Sequence, residues 1–411
     1  MRVERDKWQL RDVDFGPLWP YIQDDNVTDV DYNGSQLWIE DLTKGRYNAN
    51  VKLTPEFINR FTTRVADSVN ASFNADKPVL EAETDTLRVS IVHEAFVNTG
   101  RTICIRKTPE NRRLTREKML NEDYATDEAL AFLENCVIAK MSMLMCGQPA
   151  AGKTEFLKYL TTFIKPEDRA ITIEDSLEIH YPSINPGYDC VEMKVSNKFD
   201  YTAAIKASLR QNPKWILLSE ARSTEVKYLL ESMSTGTHCL TTVHTDDVRK
   251  VPDRIKNMCG DELTANRLEN DVYSFLDVAV LVKKFTKEDK IIRKLDQICV
   301  FSRENLDEET SKNIIIMLMD EGKIINKKLP HEIMQKFHEA GIQNPFVSQK
   351  QVRAEREALV EQIKAEKEIS ITELVANARK YRNSMVFTVY NHEQDNIAKA
   401  KRAQMRGETL Q

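Results

Sequence analysis

Residues 147–154 read Gly147-Gln148-Pro149-Ala150-Ala151-Gly152-Lys153-Thr154, and the architecture of the chain can be worked out from this stretch. It matches the pattern G-x-x-x-x-G-K-[ST], in which consecutive backbone N–H groups form a concave site for phosphate oxygens. In such a loop the lysine reaches the outer phosphates, and the threonine hydroxyl binds Mg²⁺. These eight residues, together with Glu155 after them, are therefore predicted to bind a nucleotide.

The segments on either side of this phosphate loop predict the order strand, loop, helix. Residues 141–146 are a short apolar run, which is typical of a buried parallel strand. After the loop, apolar residues recur at helical spacing from Phe156 to Ile164. A helix that begins directly after the loop points the positive end of its dipole at the phosphates.

The composition describes an ordinary globular protein without a dominant charge. The chain has 411 residues, of which 59 are basic and 64 acidic, for a net charge of -5. Nucleic-acid-binding chains usually carry a basic excess, so this balance argues against nucleic acid as the main ligand. Seven cysteines without a C-x-x-C pair favour reduced thiols over a metal site.

Nothing in the sequence predicts export or membrane insertion. The first residues are highly charged and lack the apolar region of a signal peptide. The apolar runs near Met141 and Ile314 break within about ten residues, whereas a membrane-spanning helix needs about 20. We therefore expect a cytosolic protein, which leaves open a role beside a membrane.

Periodicity predicts a mixed α/β domain over residues 1–106. The Asn33-Gly34 pair is a strong hairpin signal between two alternating segments, and Thr54 with Pro55 predicts the start of a helix that extends to about residue 73. Strands are predicted at 27–32, 36–40, 87–92 and 102–106. The charged stretch 107–126 has no apolar period and is predicted to be a linker.

Residues 127–346 are predicted to form a second, larger domain around the phosphate loop. Buried strands are expected at 170–173, 215–218, 239–243 and 278–282. Because helical segments separate them, a mostly parallel sheet covered on both faces is predicted. Beyond about residue 302 the chain is predicted to become helical, and 347–411 to be a charged helical tail with a narrow apolar stripe at Leu359 and Ile363.

Polar clusters follow three of these strands. The stretch Glu174-Asp175-Ser176-Leu177-Glu178 could hold Mg²⁺ or a water molecule near the terminal phosphate, or it could be the acidic start of a helix. Glu220 lies where a water-orienting carboxylate would be expected, although it could also be a solvated surface residue. His244 could contact the terminal phosphate or form a hydrogen bond in the core. Thr154, Glu174 and Asp175 are the predicted metal ligands.

Taken in order, these motifs resemble those of the traffic ATPases, the motors of type II and type IV secretion, conjugation, type IV pili and Tad pili. The shared order is a phosphate loop, an acidic box, an apolar strand with Glu-x-Arg, and then Thr-Gly and Thr-x-His. The resemblance covers the chain from about residue 16 to about residue 300. It implies an α/β fold with a RecA-like P-loop NTPase core and a smaller mixed α/β N-terminal domain.

The resemblance also implies roles for particular residues. Lys153 and Thr154 would bind the phosphates and Mg²⁺. Glu178 is at the position of the acidic-box glutamate that activates water, with Glu174 and Asp175 in support. Glu220 matches the second-motif glutamate, after Ser219 at the usual glycine position, and His244 matches the histidine-box residue. At an earlier family histidine this chain has Thr237, with His238 displaced by one.

Members of this family form hexameric rings with ATP between the two domains. The resemblance therefore implies a homo-oligomer with ATP and Mg²⁺ as cofactors, and arginines that complete the pocket from the N-terminal domain and from neighbouring subunits. The candidates are Arg88, Arg106, Arg210 and Arg222. It also implies a location at the cytoplasmic face of the membrane, with integral inner-membrane components of a secretion or pilus machine as partners and no direct contact with nucleic acid.

Two other classes of protein remain open. A nucleic-acid motor could share the RecA-like core, and its ATPase would respond to DNA, but the sequence has no basic stripe interleaved with aromatic residues. A nucleotide-gated assembly protein with negligible turnover is the other class. The presence of Glu178 and Glu220 argues against it.

Overall fold

The computed structural model describes residues 12–258, 262–288, 290–305 and 311–365. Within these residues the chain forms two compact units. The first contains the described residues up to 126 together with 140–330, and the second contains 127–139 and the described residues from 331 onward. Among the helices so described, none is both long enough and apolar enough to cross a bilayer.

The first unit begins with a six-stranded antiparallel sheet. Its strands are β1 (Val27–Tyr32), β2 (Leu37–Asp41), β3 (Gly45–Asn48), β4 (Val79–Glu83), β5 (Leu87–Val92) and β6 (Thr102–Lys107). They lie in the order β3-β2-β1-β6-β5-β4. Three helices accompany them, α1 (Asp12–Phe15), α2 (Trp19–Gln23) and α3 (Pro55–Ser68).

Local sequence signals account for this sheet. The predicted hairpin joins β1 to β2, and the Asn33 carboxamide oxygen accepts the backbone N–H groups of Ser35 and Gln36. Helix α3 starts after Thr54, whose hydroxyl accepts the N–H of Phe57 as an N-cap. The buried face of α3 belongs to the same apolar cluster as the inward residues of the strands.

A nine-stranded sheet forms the rest of the first unit. Its strands are β7 (Met143–Cys146), β8 (Ala170–Glu174), β9 (Cys190–Lys194), β10 (Trp215–Leu218), β11 (His238–Val243), β12 (Val278–Lys287), β13 (Lys290–Asn305), β14 (Ser311–Asp320) and β15 (Lys323–Ile324). The order is β15-β14-β13-β12-β7-β11-β10-β8-β9, in which β12 through β9 are parallel neighbours and β13, β14 and β15 extend the sheet antiparallel.

The helices after α3 connect or follow these strands. They are α4 (Arg116–Asn121), α5 (Asp127–Ile138), α6 (Lys153–Thr161), α7 (Tyr181–Ile184), α8 (Tyr201–Ser208), α9 (Glu225–Ser234), α10 (Val251–Asn257), α11 (Glu262–Phe275), α12 (His331–Glu339) and α13 (Gln349–Ala365). Every residue of β7, β8 and β10 is buried. The prediction of a mostly parallel sheet covered on both faces is therefore confirmed.

Two sequence-based predictions need correction. The chain does not become helical beyond residue 302, because β13 continues to Asn305 and β14 and β15 follow it. The β-branched run Ile314-Ile315-Ile316 explains this, since such residues favour strands and here pair with β13. The second concerns residues 107–126, where no apolar period was predicted but α4 buries Met119; that these residues act as a linker stays a prediction.

The second unit is helical. Phe132 of α5 stacks on Phe346 at a centroid distance of 5.2 Å, and the Asn135 side chain donates to the carbonyl oxygens of Pro345 and Val347. Helix α13 supplies the described part of the predicted helical tail. The side chains of Leu359 and Ile363 and all of residues 366–411 lie outside the described residues, and the proposed boundaries at 106, 126 and 346 stay predictions.

Candidate functional site

The phosphate loop joins β7, the central strand of the nine-stranded sheet, to α6. Strand β7 pairs with β12 on one side and with β11 on the other. Gly147, the first loop residue, has a φ of 151°, and a Cβ there would lie 2.5 Å from the Val282 carbonyl oxygen on β12. Gly152 has a φ of 95° directly before α6. Glycine is therefore required at both ends of the loop.

Lys153 is buried beneath this loop. Its Nζ donates to the carbonyl oxygens of Gly147 and Gln148, at 3.1 and 3.2 Å, and to Nδ1 of His244 at 3.1 Å. Burial lowers the pKa of Lys153 to about 8, and the nearby carboxylate of Glu220 opposes this shift. A buried ammonium group with three donor positions is suited to bind phosphate oxygens.

His244 connects this lysine to Glu220. Nδ1 of His244 lies 3.1 Å from Nζ of Lys153 and 3.2 Å from the Gly147 carbonyl oxygen. Nε2 faces the Glu220 carboxylate, which only accepts hydrogen bonds, so Nε2 carries a ring proton. Nε2 is 3.1 Å from Oε1 of Glu220, and Oε2 of Glu220 is 3.0 Å from Nε of Arg222. These contacts join the phosphate loop to the residues that follow β10 and β11.

Residues 175–180, here called the acidic loop, follow β8. Glu178 Oε2 accepts a hydrogen bond from the Thr154 hydroxyl at 3.3 Å, so this carboxylate lies at the start of α6. Burial raises the pKa of Glu178, and Arg106 opposes the shift. Asp175 pairs with Arg222 at 3.0 Å. The acidic loop therefore brings two carboxylates to the cations that surround the phosphate loop.

Glu174 shapes the acidic loop from below. Its Oε2 accepts the backbone N–H groups of Glu178 and Ile179 at 2.9 and 3.0 Å. Its Oε1 is buried without a hydrogen-bond partner, and burial raises the pKa of Glu174 to about 8. This placement favours support of the loop over the metal-ligand role predicted for Glu174.

The raised pKa of Glu174 predicts a pH-dependent stability. An acid whose pKa is raised by folding stabilises the protein at low pH, and this contribution is lost as the pH rises through about 8. Between about pH 5 and about pH 9, wild type should lose about 1–3 kcal/mol more of its free energy of unfolding than Glu174→Gln, whose amide keeps one acceptor and has no charge. Urea unfolding of both proteins at the two pH values measures this, and parallel pH profiles would contradict it.

A cleft of about 1210 Å³ contains most of the predicted site. Its lining includes the predicted residues Pro149, Ala150, Ala151, Gly152, Lys153, Thr154, Glu155, Asp175, Glu178, Glu220, Arg222, His244 and Arg106. Arg106, on β6, comes from the six-stranded sheet, so both sheets contribute to one cleft. More basic than acidic side chains line it, which suits a polyanionic ligand.

Several other residues singled out in the sequence do not line this cleft. Gly147 and Gln148 contact Lys153 through their carbonyl oxygens. Arg88 is the β5 partner of Arg106 in the register of the sheet, and Arg210 is exposed in a turn after α8. His238 opens β11 with its ring 5.3 Å from that of Trp215.

Three cleft residues were missed by sequence reasoning. Asp29 pairs with Arg106 at 2.8 Å. Arg293 donates to the carbonyl oxygens of Ala150 and Leu42 at 3.2 and 2.9 Å, and therefore connects the phosphate loop to the six-stranded sheet. Lys158 donates to the Pro109 carbonyl at 2.9 Å. No local pattern marks these residues, because each contact joins distant parts of the chain.

The oxygen donors near α6 fit Mg²⁺. The Thr154 hydroxyl and the Glu178 carboxylate are neighbours, and Asp175 lines the same cleft. Hard oxygen ligands suit Mg²⁺, which usually takes one or two protein ligands besides substrate phosphates and water. Over the described residues there is no group of three or more His, Cys, Asp or Glu side chains that would hold a metal by itself.

Comparisons with known proteins identify a family. The family model "Type II/IV secretion system protein" matches residues 77–410. An uncharacterized protein of Bacillus anthracis is 29% identical over 263 residues, which are 63% of this chain and 59% of that protein. Protein VirB11 of Rhizobium radiobacter is 36% identical over 151 residues, which are 33% of this chain and 42% of VirB11. The chain thus spans less than two thirds of either relative.

Solved structures show the same fold. The ATPase DotB of Yersinia pseudotuberculosis matches with a TM-score of 0.55 and 16% identity, over 72% of this chain and 80% of that one. DotB of Legionella pneumophila matches with a TM-score of 0.50 and 17% identity, over 75% and 84%. The predicted fold class is confirmed. With a family model that covers most of its length, this chain belongs to the type II/IV secretion system proteins, the traffic ATPase family that its motifs resemble.

Proposed function

We propose that this protein hydrolyses ATP and uses the energy to drive a secretion, conjugation or pilus machine. One observation carries the proposal: Lys153 and Thr154 of the phosphate loop line the same cleft as Glu178 and Glu220. A phosphate loop alone binds a nucleotide, whereas hydrolysis also needs a carboxylate that orients water and cations that offset the developing charge. This cleft contains all three kinds of group.

The contacts support a role for each of these residues. The loop and Lys153 bind the β- and γ-phosphates, and Arg106 and Arg222 offset negative charge in the transition state. Glu178 orients the attacking water for in-line attack on the γ-phosphate, because it lies beside Thr154 at the start of α6. His244 and Glu220 hold Lys153 in place through their hydrogen bonds. Thr154 and Asp175 would hold Mg²⁺, which neutralises charge on phosphate oxygens.

The family supports a homo-hexamer in which ATP acts at subunit boundaries. In such a ring Arg210, which is exposed here, would be available to a neighbouring subunit. Rotation of the six-stranded sheet against the nine-stranded sheet, about residues 107–126, would then transmit the work. We place this motor at the cytoplasmic face of the membrane, against integral membrane components of the machine.

The test is steady-state phosphate release by the purified chain. We expect many turnovers per subunit with ATP and Mg²⁺, loss of activity when EDTA removes the metal, and no response to added DNA. Strong stimulation by DNA that weakens with salt would instead indicate a nucleic-acid motor. Release of no more than one phosphate per subunit would indicate a nucleotide-gated assembly protein. Either result would contradict the proposal.

A further inference from the structure

The acidic loop is held by the six-stranded sheet as well as by its own strand. Glu83, the last residue of β4, accepts the backbone N–H of Leu177 through Oε1 at 3.0 Å. Its Oε2 pairs with Lys194, the last residue of β9. Because β4 and β9 are edge strands of their sheets, one carboxylate joins the two sheet edges and the loop.

A second contact of this kind is found at the end of the loop. His180 is buried, has a φ of 50°, and places Nε2 2.8 Å from the carbonyl oxygen of Thr108 just after β6. A carbonyl oxygen only accepts hydrogen bonds, so Nε2 donates. Glu178 therefore lies between two anchor points, at Leu177 and at His180, that both depend on the chain preceding the phosphate loop.

Glu174, the hydrogen-bond acceptor at the end of β8, binds backbone N–H groups of the acidic loop other than the one that Glu83 binds. Glu174 accepts the N–H groups of Glu178 and Ile179, whereas the N–H of Leu177 is bonded to Glu83. Movement of β4 would therefore act directly on the residue before Glu178. Glu83 itself does not line the cleft, so any effect on the cleft residues would pass through the acidic loop.

We propose that Glu83 is a positioning residue for hydrolysis: its bond to Leu177 sets Glu178 against Thr154, so that turnover depends on where the six-stranded sheet lies. This inference rests on the proposed ATPase function. Small misplacements of a water-orienting group cost large factors in rate. The effect is expected in kcat and not in nucleotide affinity, because the residues of the phosphate loop remain in place.

The test compares four variants by phosphate release and by equilibrium binding of a fluorescent ATP analogue. Glu83→Ala should lower kcat about tenfold or more and change the Kd less than about twofold. Glu83→Gln keeps an acceptor for Leu177 and should recover most of the rate. Lys194→Met removes only a half-exposed ion pair and should stay within about twofold of wild type. Glu81→Ala is the matched control, an exposed glutamate on the same strand and face.

Hydrogen exchange provides a readout that does not depend on activity. Amides of residues 175–180 should exchange faster in Glu83→Ala than in Glu83→Gln, while the midpoint of thermal unfolding stays the same. Equal kcat for wild type and Glu83→Ala would overturn the inference alone. Equal losses in Glu83→Ala and Glu83→Gln would also overturn it, because charge and not the hydrogen bond would then matter. A wild-type chain without turnover would contradict the proposed function, and this inference with it.

Discussion

Lys153→Ala is expected to lower phosphate release by about 10²–10³-fold. The variant loses the only ammonium group that contacts the carbonyl oxygens of Gly147 and Gln148 in the described structure, and with it the charge that would stabilise the transferred phosphoryl group. Nucleotide affinity should fall as well, because this lysine binds phosphate before and during the reaction. Phosphate release and binding of a fluorescent ATP analogue measure the two effects.

The loss should not come from unfolding. Burial already disfavours the charged form of Lys153, as its lowered pKa shows, so removal of the ammonium also removes a desolvation cost. Thermal unfolding should therefore stay near that of wild type. Lys165→Ala, an exposed lysine shortly after α6, is the control and should hydrolyse ATP at the wild-type rate. A Lys153→Ala variant within about threefold of wild type would contradict the proposed site.

The second large effect is expected when Glu178 or Glu220 is converted to an amide. Glu178→Gln should lower kcat by about 10²–10³-fold, because an amide cannot take up the proton of the attacking water. Glu220→Gln should also abolish measurable turnover, since it removes the charge that pairs with Arg222 and accepts from His244. Both variants keep the phosphate loop and should bind ATP as wild type does.

The matched control is Glu167→Gln, a change of the same chemistry at an exposed position after α6. Single-turnover measurements with ATP separate the chemical step from binding and product release. Full activity of Glu178→Gln would move the water-orienting role to another residue. Full activity of Glu220→Gln would mean that the contacts of Lys153 with the phosphate loop suffice without the His244 bridge.

The parallel core could be predicted from sequence because its signals are local. Each buried strand is a short apolar run, and the carboxyl ends of parallel strands lie at one edge of a sheet. Residues that follow such strands, including Glu178, Glu220 and His244, could therefore be expected near the phosphate loop. The edge strands β3, β4 and β9 were missed, because they are short and weakly apolar.

The contacts between the two sheets could not be predicted in this way. Asp29, Glu83 and Arg293 act on residues far away in the chain, and no spacing in the sequence encodes how the sheets meet. Glu174 shows a second limit. Sequence identifies a carboxylate at the end of β8, but only the structure shows that it accepts backbone N–H groups instead of facing the cleft.

The packing of the sheet requires a glycine at position 147, independently of nucleotide binding. A side chain here would clash with the Val282 carbonyl oxygen on the adjacent strand. Glycine is therefore needed for β7 and β12 to pair, whether or not a nucleotide is bound. The structure places no such constraint on Lys153 or Glu178, and desolvation lowers the pKa of Lys153 and raises the pKa of Glu178, so both sites disfavour the charged form. A relative that no longer hydrolyses ATP could therefore lose Lys153 and Glu178 while it keeps Gly147. Comparison of these three positions across relatives should therefore separate active ATPases from relatives that have lost the activity.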